Sequence, residues 1–416
     1  MGKTINKELS IFFYFNFIIG LLCSRTMLTI SLIGLVLIGL LDVRWKPFSV
    51  GFNKNWFKNL GKLFYRKDFL AVLGIFVLVA LSGLNSTDTS ELMRHIRVKL
   101  PFLILPIAFI QLPDLSKRDL SNVLYIFLLS AFAASLGTAI HYALDYEFIT
   151  NEIFSGKPIP TPIHHIRFSL LMGIAIITGI WLSLTGYYWK YTWEKWLIIA
   201  LTVFIFVFQH VLSVRSGLMV LYAGLILMGV YYIIYSKKTW LFAVFVPLMS
   251  ALPLVAYHTI PSLKNKVRYI QYDLDMFRHG NISGFSDGQR LISWYMGAAV
   301  FKENKIFGTG FGDLKDELAQ KYANQYPDLK PKMPHNQFLL FASGMGLIGL
   351  LGFIGLFFLP LLYQRRFRFS FFAAFYLIIT LSFLFENTLS TAFGTNIYLF
   401  FTLVIMKLKG TDFDIF

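Results

Sequence analysis

The sequence predicts an all-α polytopic membrane protein of about twelve transmembrane helices, with one long, partly helical segment held outside the bilayer. Three observations lead to that fold class. Only 14% of the 416 residues are charged and 56% are hydrophobic, whereas a soluble domain carries about 25% charged residues; this chain cannot cover itself in water. Apolar runs long enough to cross the hydrocarbon, about 17–25 residues, recur along its length. Between them, basic residues fall in short clusters at every second gap, the charge pattern of membrane topology.

The apolar runs lie near 8–24, 26–42, 67–84, 98–113, 119–141, 166–187, 195–213, 216–235, 240–257, 335–363, 369–386 and 391–408. In lipid each must satisfy its own backbone hydrogen bonds, so each is a helix. Runs of this length exclude the alternating ten-residue strands of a barrel. The 44 phenylalanines fit side chains that face lipid. The first run lacks a small-residue cleavage site and meets a second run at once, so it reads as a retained span and not a signal peptide. Residues 1–257 thus carry spans one to nine. Residues 258–334 form the long loop, and 335–416 carry the last three spans and a short tail.

Lys3 and Lys7, the set from Arg44 to Lys67, Lys117 with Arg118, Lys190 with Lys195, Lys237 with Lys238, Arg365 with Arg366, and Lys407 with Lys409 share one face of the bilayer. The positive-inside rule makes that face cytoplasmic, with both termini on it and the long loop outside. The formal charge of +16 is therefore a topology signal and does not imply a nucleic-acid partner. The lone Cys23 excludes an internal disulfide and a cysteine metal site.

Several outer-gap residues oppose the topology rule: Arg94, Arg97 and Lys99 in one stretch, Arg215 between two close spans, and Arg290 inside the long loop. Binding of an anion explains cations placed there, because the guanidinium fork grips phosphate oxygens bidentately; contact with lipid headgroups is the plainer alternative. Glu386, at the outer end of a late span, can orient a base or pair with an arginine. Asp273-Leu274-Asp275 has the form of a metal-holding D-x-D but reads as a solvated helix face. His164-His165 lacks the carboxylate or cysteine partners of a metal site. No metal and no cofactor are expected.

Within the loop, the run from Leu291 to Phe301 predicts an amphipathic helix near 287–303, which Ser286 or Asp287 can cap. Gly308, Gly310 and Gly312 mark a tight turn after it.

Three stretches stand out together. They are Leu212-Ser213-Val214-Arg215-Ser216-Gly217; Gly288-Gln289-Arg290 with Trp294, followed by Phe307-Gly308-Thr309-Gly310-Phe311-Gly312; and Pro334-His335-Asn336-Gln337-Phe338-Leu339, which runs into Gly344-Met345-Gly346-Leu347-Ile348-Gly349. Their order and contexts resemble the O-antigen ligase and polymerase superfamily of bacterial membrane glycosyltransferases, and the ligases above all. The resemblance implies a GT-C-like fold and an inverting, metal-independent transfer. In such a transfer a glycan moves from an undecaprenyl-diphosphate donor to a lipid-anchored acceptor, lipid A-core or similar, at the periplasmic face of the inner membrane. It implies His335 as the general base and Arg215 and Arg290 as ligands of the diphosphate, with Trp294 and Asn336 in the matching motifs; Arg94, Arg97 and Glu386 are candidate supporting residues by their position alone. An O-antigen polymerase or a protein O-oligosaccharyltransferase of the same superfamily is the nearest alternative; only one loop is long, which favours the ligase. A transporter or flippase of lipid-linked sugar would show repeat symmetry or paired broken helices, and the sequence shows neither.

Overall fold

The computed structural model describes residues 5–45, 48–279 and 286–409. Each predicted span corresponds to a helix. The first five are α1 (Asn6–Cys23), α2 (Arg25–Leu40), α4 (Lys67–Leu81), α5 (Thr89–Gln111) and α6 (Lys117–Leu144), with a short α3 (Trp56–Leu63) before α4. A second short helix, α7 (Tyr146–Phe154), precedes α8 (His165–Leu184), α9 (Glu194–Leu212), α10 (Arg215–Ser236) and α11 (Phe242–Thr259). The long loop folds into α12 (Pro261–Arg278), α13 (Ser286–Glu303) and α14 (Leu314–Gln325), and the chain closes with α15 (Gln337–Leu362), α16 (Ser370–Phe385) and α17 (Ala392–Met406). The side chains of Ser286 and Asp287, expected to cap α13, lie outside the described residues.

Eight of these helical segments are long and apolar enough to cross a membrane, and α2, α16 and α17 are apolar but shorter. Helix α5 fails on charge and not on length. It begins nine residues before the expected span, so that Glu91, Arg94, Arg97 and Lys99 ride on its first turns, and it continues through Pro101 and Pro106. Helix α8 is the hub, with 78% of its span enclosed by neighbours against 6% for the span that contains α11. The strands among the described residues form a hairpin, β1 (Leu41–Arg44) with β2 (Ser49–Phe52), paired antiparallel from Leu41↔Phe52 to Arg44↔Ser49. Strands of four residues leave too short a periodic signal to be read in sequence.

Phenylalanine does not merely face lipid. Phe17, Phe69, Phe127, Phe168, Phe353, Phe357 and Phe383 are fully enclosed between helices, and Phe341 stacks on Phe353 at 4.1 Å between ring centroids. Lipid tails are as apolar as the side chains, so helices associate through close packing, to which broad flat rings contribute much contact area.

Helix α15 is broken near its start. Gly346 has φ +65° and ψ −164°, and the turn it creates docks against the segment after α13. Leu347 N–H donates to Lys305 O at 2.7 Å, and Gly310 N–H donates to Gly344 O at 2.8 Å. A β-carbon on Gly308 would come within 2.3 Å of Met345 N, and one on Gly346 within 2.2 Å of Ile306 O. The two glycine motifs are thus a backbone-to-backbone clasp, at a distance that no side chain would fit.

Candidate active site

The clasp, and the helix that leads into it, place His335. Helix α13 holds the main chain of His335 at both ends: Ser293 Oγ accepts from His335 N–H at 3.2 Å, and Trp294 Nε1 donates to His335 O at 2.9 Å. The same Ser293 hydroxyl donates to Arg290 O at 2.7 Å, which links the histidine to the turn of α13 that carries the arginine. Asn336 is the N-cap of α15, its Oδ1 accepting from Leu339 N–H at 3.0 Å. Gln337 Oε1 accepts from Leu389 N–H at 2.8 Å and ties this helix start to the loop after α16.

Glu386 follows the last residue of α16 and stands between the two predicted residues. One oxygen lies 3.6 Å from an Arg290 Nη and the other 3.5 Å from His335 Nδ1. Its side chain is only 13% exposed, so these charges meet largely out of water, where their interaction is stronger.

Beside this trio opens a cavity of about 280 Å³, walled by the α9–α10 turn with Arg215, by α13 with Arg290, and by Glu386. Arg215 reaches it because Ser213 takes the left-handed conformation, φ 54°, while its hydroxyl bonds His210 O at 2.8 Å and Ser262 Oγ at 3.2 Å. Lys157, His164, His165 and Lys266 complete a wall on which Glu386 is the sole acid among the described residues. Such a lining concentrates positive charge around whatever enters. A narrow, mainly apolar recess lies alongside, between α8, α10 and α16; Ser216 and Glu386 line both spaces. Arg167 projects into that recess, and its Nε is buried with no hydrogen-bond partner among the described residues.

Arg215, Arg290 and Glu386 therefore come together, with His335 at their edge, Trp294 fixing its backbone and Asn336 capping the helix that follows. Arg94 does not join them. It pairs with Glu91 and lines a separate cavity with Lys315 and Lys332. Arg97 is exposed on α5. Lys99 is buried and donates to Leu389 O. Asp273 proves buried where a solvated face was expected, while Asp275 is exposed; two positions apart on a helix point to different sides, so the pair does not face one site. No metal-ligating cluster occurs among the described residues.

Sequence reasoning missed Arg167 and Lys266. The first stands two residues after the histidine pair, at the mouth of a span, and that placement was its available signal. Lys266 lies on α12, and only the tertiary fold brings that helix over the cavity, where Lys266 Nζ donates to Gly156 O at 3.0 Å.

No curated protein matches the chain. The O-antigen ligase family model matches residues 200–354, the interval that holds Arg215, Arg290, Trp294, both glycine motifs and His335, and it supports a place for this multi-pass membrane protein in the O-antigen ligase and polymerase superfamily of glycosyltransferase-type enzymes.

Proposed function

We propose that the chain is an O-antigen ligase-like transferase that moves a glycan from a polyprenyl diphosphate to a hydroxyl of a lipid-anchored acceptor, lipid A-core or similar, on the periplasmic side of the bacterial inner membrane. One observation carries the reading: a cation-lined cavity at one end of the helical bundle, flanked by a histidine whose Nδ1 faces a carboxylate.

The chemistry follows from those positions. The diphosphate of the donor sits among Arg215, Arg290 and Lys266. Glu386 against Nδ1 fixes the ring and favours the tautomer that leaves Nε2 free to accept a proton. His335 Nε2 takes the proton of the acceptor hydroxyl as its oxygen forms a bond to the anomeric carbon. The bond from that carbon to the phosphate oxygen breaks, and the diphosphate departs with the electron pair. Attack and departure on opposite faces invert the anomeric centre. The negative charge that grows on the leaving diphosphate is stabilised by guanidinium groups already in place, so no step requires a metal.

Purified protein, reconstituted with undecaprenyl-diphosphate glycan and lipid A-core, tests the reading. Transfer should proceed in chelator, with inverted anomeric configuration in the product. Activity lost in chelator and restored by a divalent ion, or a retained configuration, would overturn this mechanism. Glycan chains lengthening on the carrier in place of transfer to lipid A-core would show a polymerase.

A further inference from the structure

A second polar space lies at the opposite end of the bundle from His335. Helix α5 starts beside α14 and runs away from the site to Gln111, and there a cavity of about 520 Å³ opens beneath α3 and the β1–β2 hairpin. Asp42 and Asn55 line it from the hairpin side, Lys62 and Arg66 from the end of α3, and Gln111 and Asp114 from its floor.

Three features mark it as a place for a ligand. First, Gln111 is 8% exposed. Its Nε2 donates to Trp56 O at 3.1 Å, but its Oε1 is buried with no donor among the described residues, and a buried acceptor left without a donor is costly. Second, the stronger charges of the lining are already spent. Arg66 forks onto Asp68 at 3.0 and 2.8 Å, and Lys407 bridges Asp114 at 2.7 Å. Asp42 enters no ion pair among the described residues, and Lys62 makes no ion pair there either. Of the charged groups and Gln111, what is left to offer is one carboxylate and one amide oxygen for a donor, and one ammonium for an anion, beside the neutral side chains of Asn55, Asn59 and Tyr65. Third, the rim is an exposed aromatic fringe of Phe52, Phe57, Phe64 and Tyr65, each more than half exposed, interspersed with Lys54 and Lys58. Aromatic rings with lysines are the signature of the membrane–water interface, so the cavity stands at the depth of lipid headgroups.

We propose that this cavity binds the phosphoethanolamine headgroup of a phospholipid. The primary ammonium supplies N–H donors to Gln111 Oε1 and Asp42, its phosphate meets Lys62, and the acyl chains leave across the aromatic rim into the bilayer. A choline headgroup has no N–H to give and leaves the glutamine oxygen unpaired. A glycerol headgroup brings hydroxyls but no cation for Asp42. The inference is independent of the transfer reaction, because none of these residues approaches His335.

The test uses the full chain in detergent, incubated with equal amounts of dioleoyl phosphatidylethanolamine, phosphatidylcholine and phosphatidylglycerol, with bound lipid read by native mass spectrometry. The ethanolamine lipid should be retained at least about tenfold over the other two, the equivalent of one charge-assisted hydrogen bond. Gln111→Leu and Asp42→Asn should each reduce it toward the level of the choline lipid. Should either variant fail to fold, Lys62→Gln, at an exposed position, should still weaken retention. Equal retention of the three lipids, or preference unchanged in the variants that fold, overturns the proposal. Soluble O-phosphoethanolamine that binds with the same dependence on Gln111, while the lipid in vesicles does not, overturns the lipid as source.

Discussion

Trp294 holds the carbonyl of His335: a 2.9 Å hydrogen bond runs from the indole Nε1, on the third turn of α13, to the backbone oxygen of the histidine. Removing the donor while keeping the ring tests whether this bond positions the base. Trp294→Phe should lower the turnover number roughly fivefold, in line with about 1 kcal/mol for a hydrogen bond, and leave KM for the donor unchanged. A rise in KM alone would make Trp294 a substrate contact.

Replacement of His335 should act on chemistry and not on donor binding. A positioned base contributes roughly 10²–10⁴-fold, and His335→Ala should cost a factor in that range. His335→Gln should restore little, because an amide cannot take the proton. Glu386→Gln should retain part of the rate, since the ring keeps a hydrogen-bonding neighbour but loses the carboxylate. Binding of labelled donor, measured in parallel, separates the roles: its loss in His335→Ala would show a phosphate ligand in place of a base.

The guanidinium groups are expected to act by shape as well as charge. Arg215→Ala and Arg290→Ala should abolish detectable transfer while protein yield in the membrane stays normal. Lysine at either position should rescue only partly, because it keeps the charge and loses the fork. Arg167→Ala belongs in the same series. Its buried, unpartnered Nε predicts weaker donor binding, and unaltered binding would confine Arg167 to a packing role.

Acid should loosen the site end through Asp313. Burial would raise the pKa of this carboxyl, but N–H bonds from Asp88 (2.7 Å) and Thr87 (2.8 Å) more than offset that and hold it below the usual carboxylate range. A depressed folded-state pKa contributes stability that is complete above the unfolded value, about 3.9, and is lost as pH falls through the folded value. Thermal stability of the wild type should therefore fall below about pH 4 more steeply than that of Asp313→Asn, which should be less stable at neutral pH. Parallel curves would remove Asp313 from the account.

Much of this was legible in the sequence, and the reasons differ by residue. The spans were visible because a lipid-facing helix must be apolar over a fixed length, and Arg215, Arg290 and Glu386 were visible because charge at a membrane interface calls for explanation. Arg94 carried the same signal, yet its helix begins early and turns it toward Glu91 and α14; sequence gives the gap in which a cation lies but not the side of the helix it occupies. Lys266 and Gln111 gave no signal, since each acquires meaning only from chain segments distant in sequence. The glycines were read as a turn, and their other function, as the contact between two backbones, appeared only when both partners were in place.

The break at Gly346 gives the two proposed partners in proton transfer different supports. His335 is held by α13 through Ser293 and Trp294 and only indirectly, through Gln337 and Leu389, by the segment after α16, whereas Glu386 directly follows α16. The 3.5 Å gap between them is therefore expected to respond to bilayer thickness. In vesicles of graded acyl-chain length the rate of transfer should pass through an optimum while donor affinity changes little, and the enzyme would be tuned to the membrane that houses it.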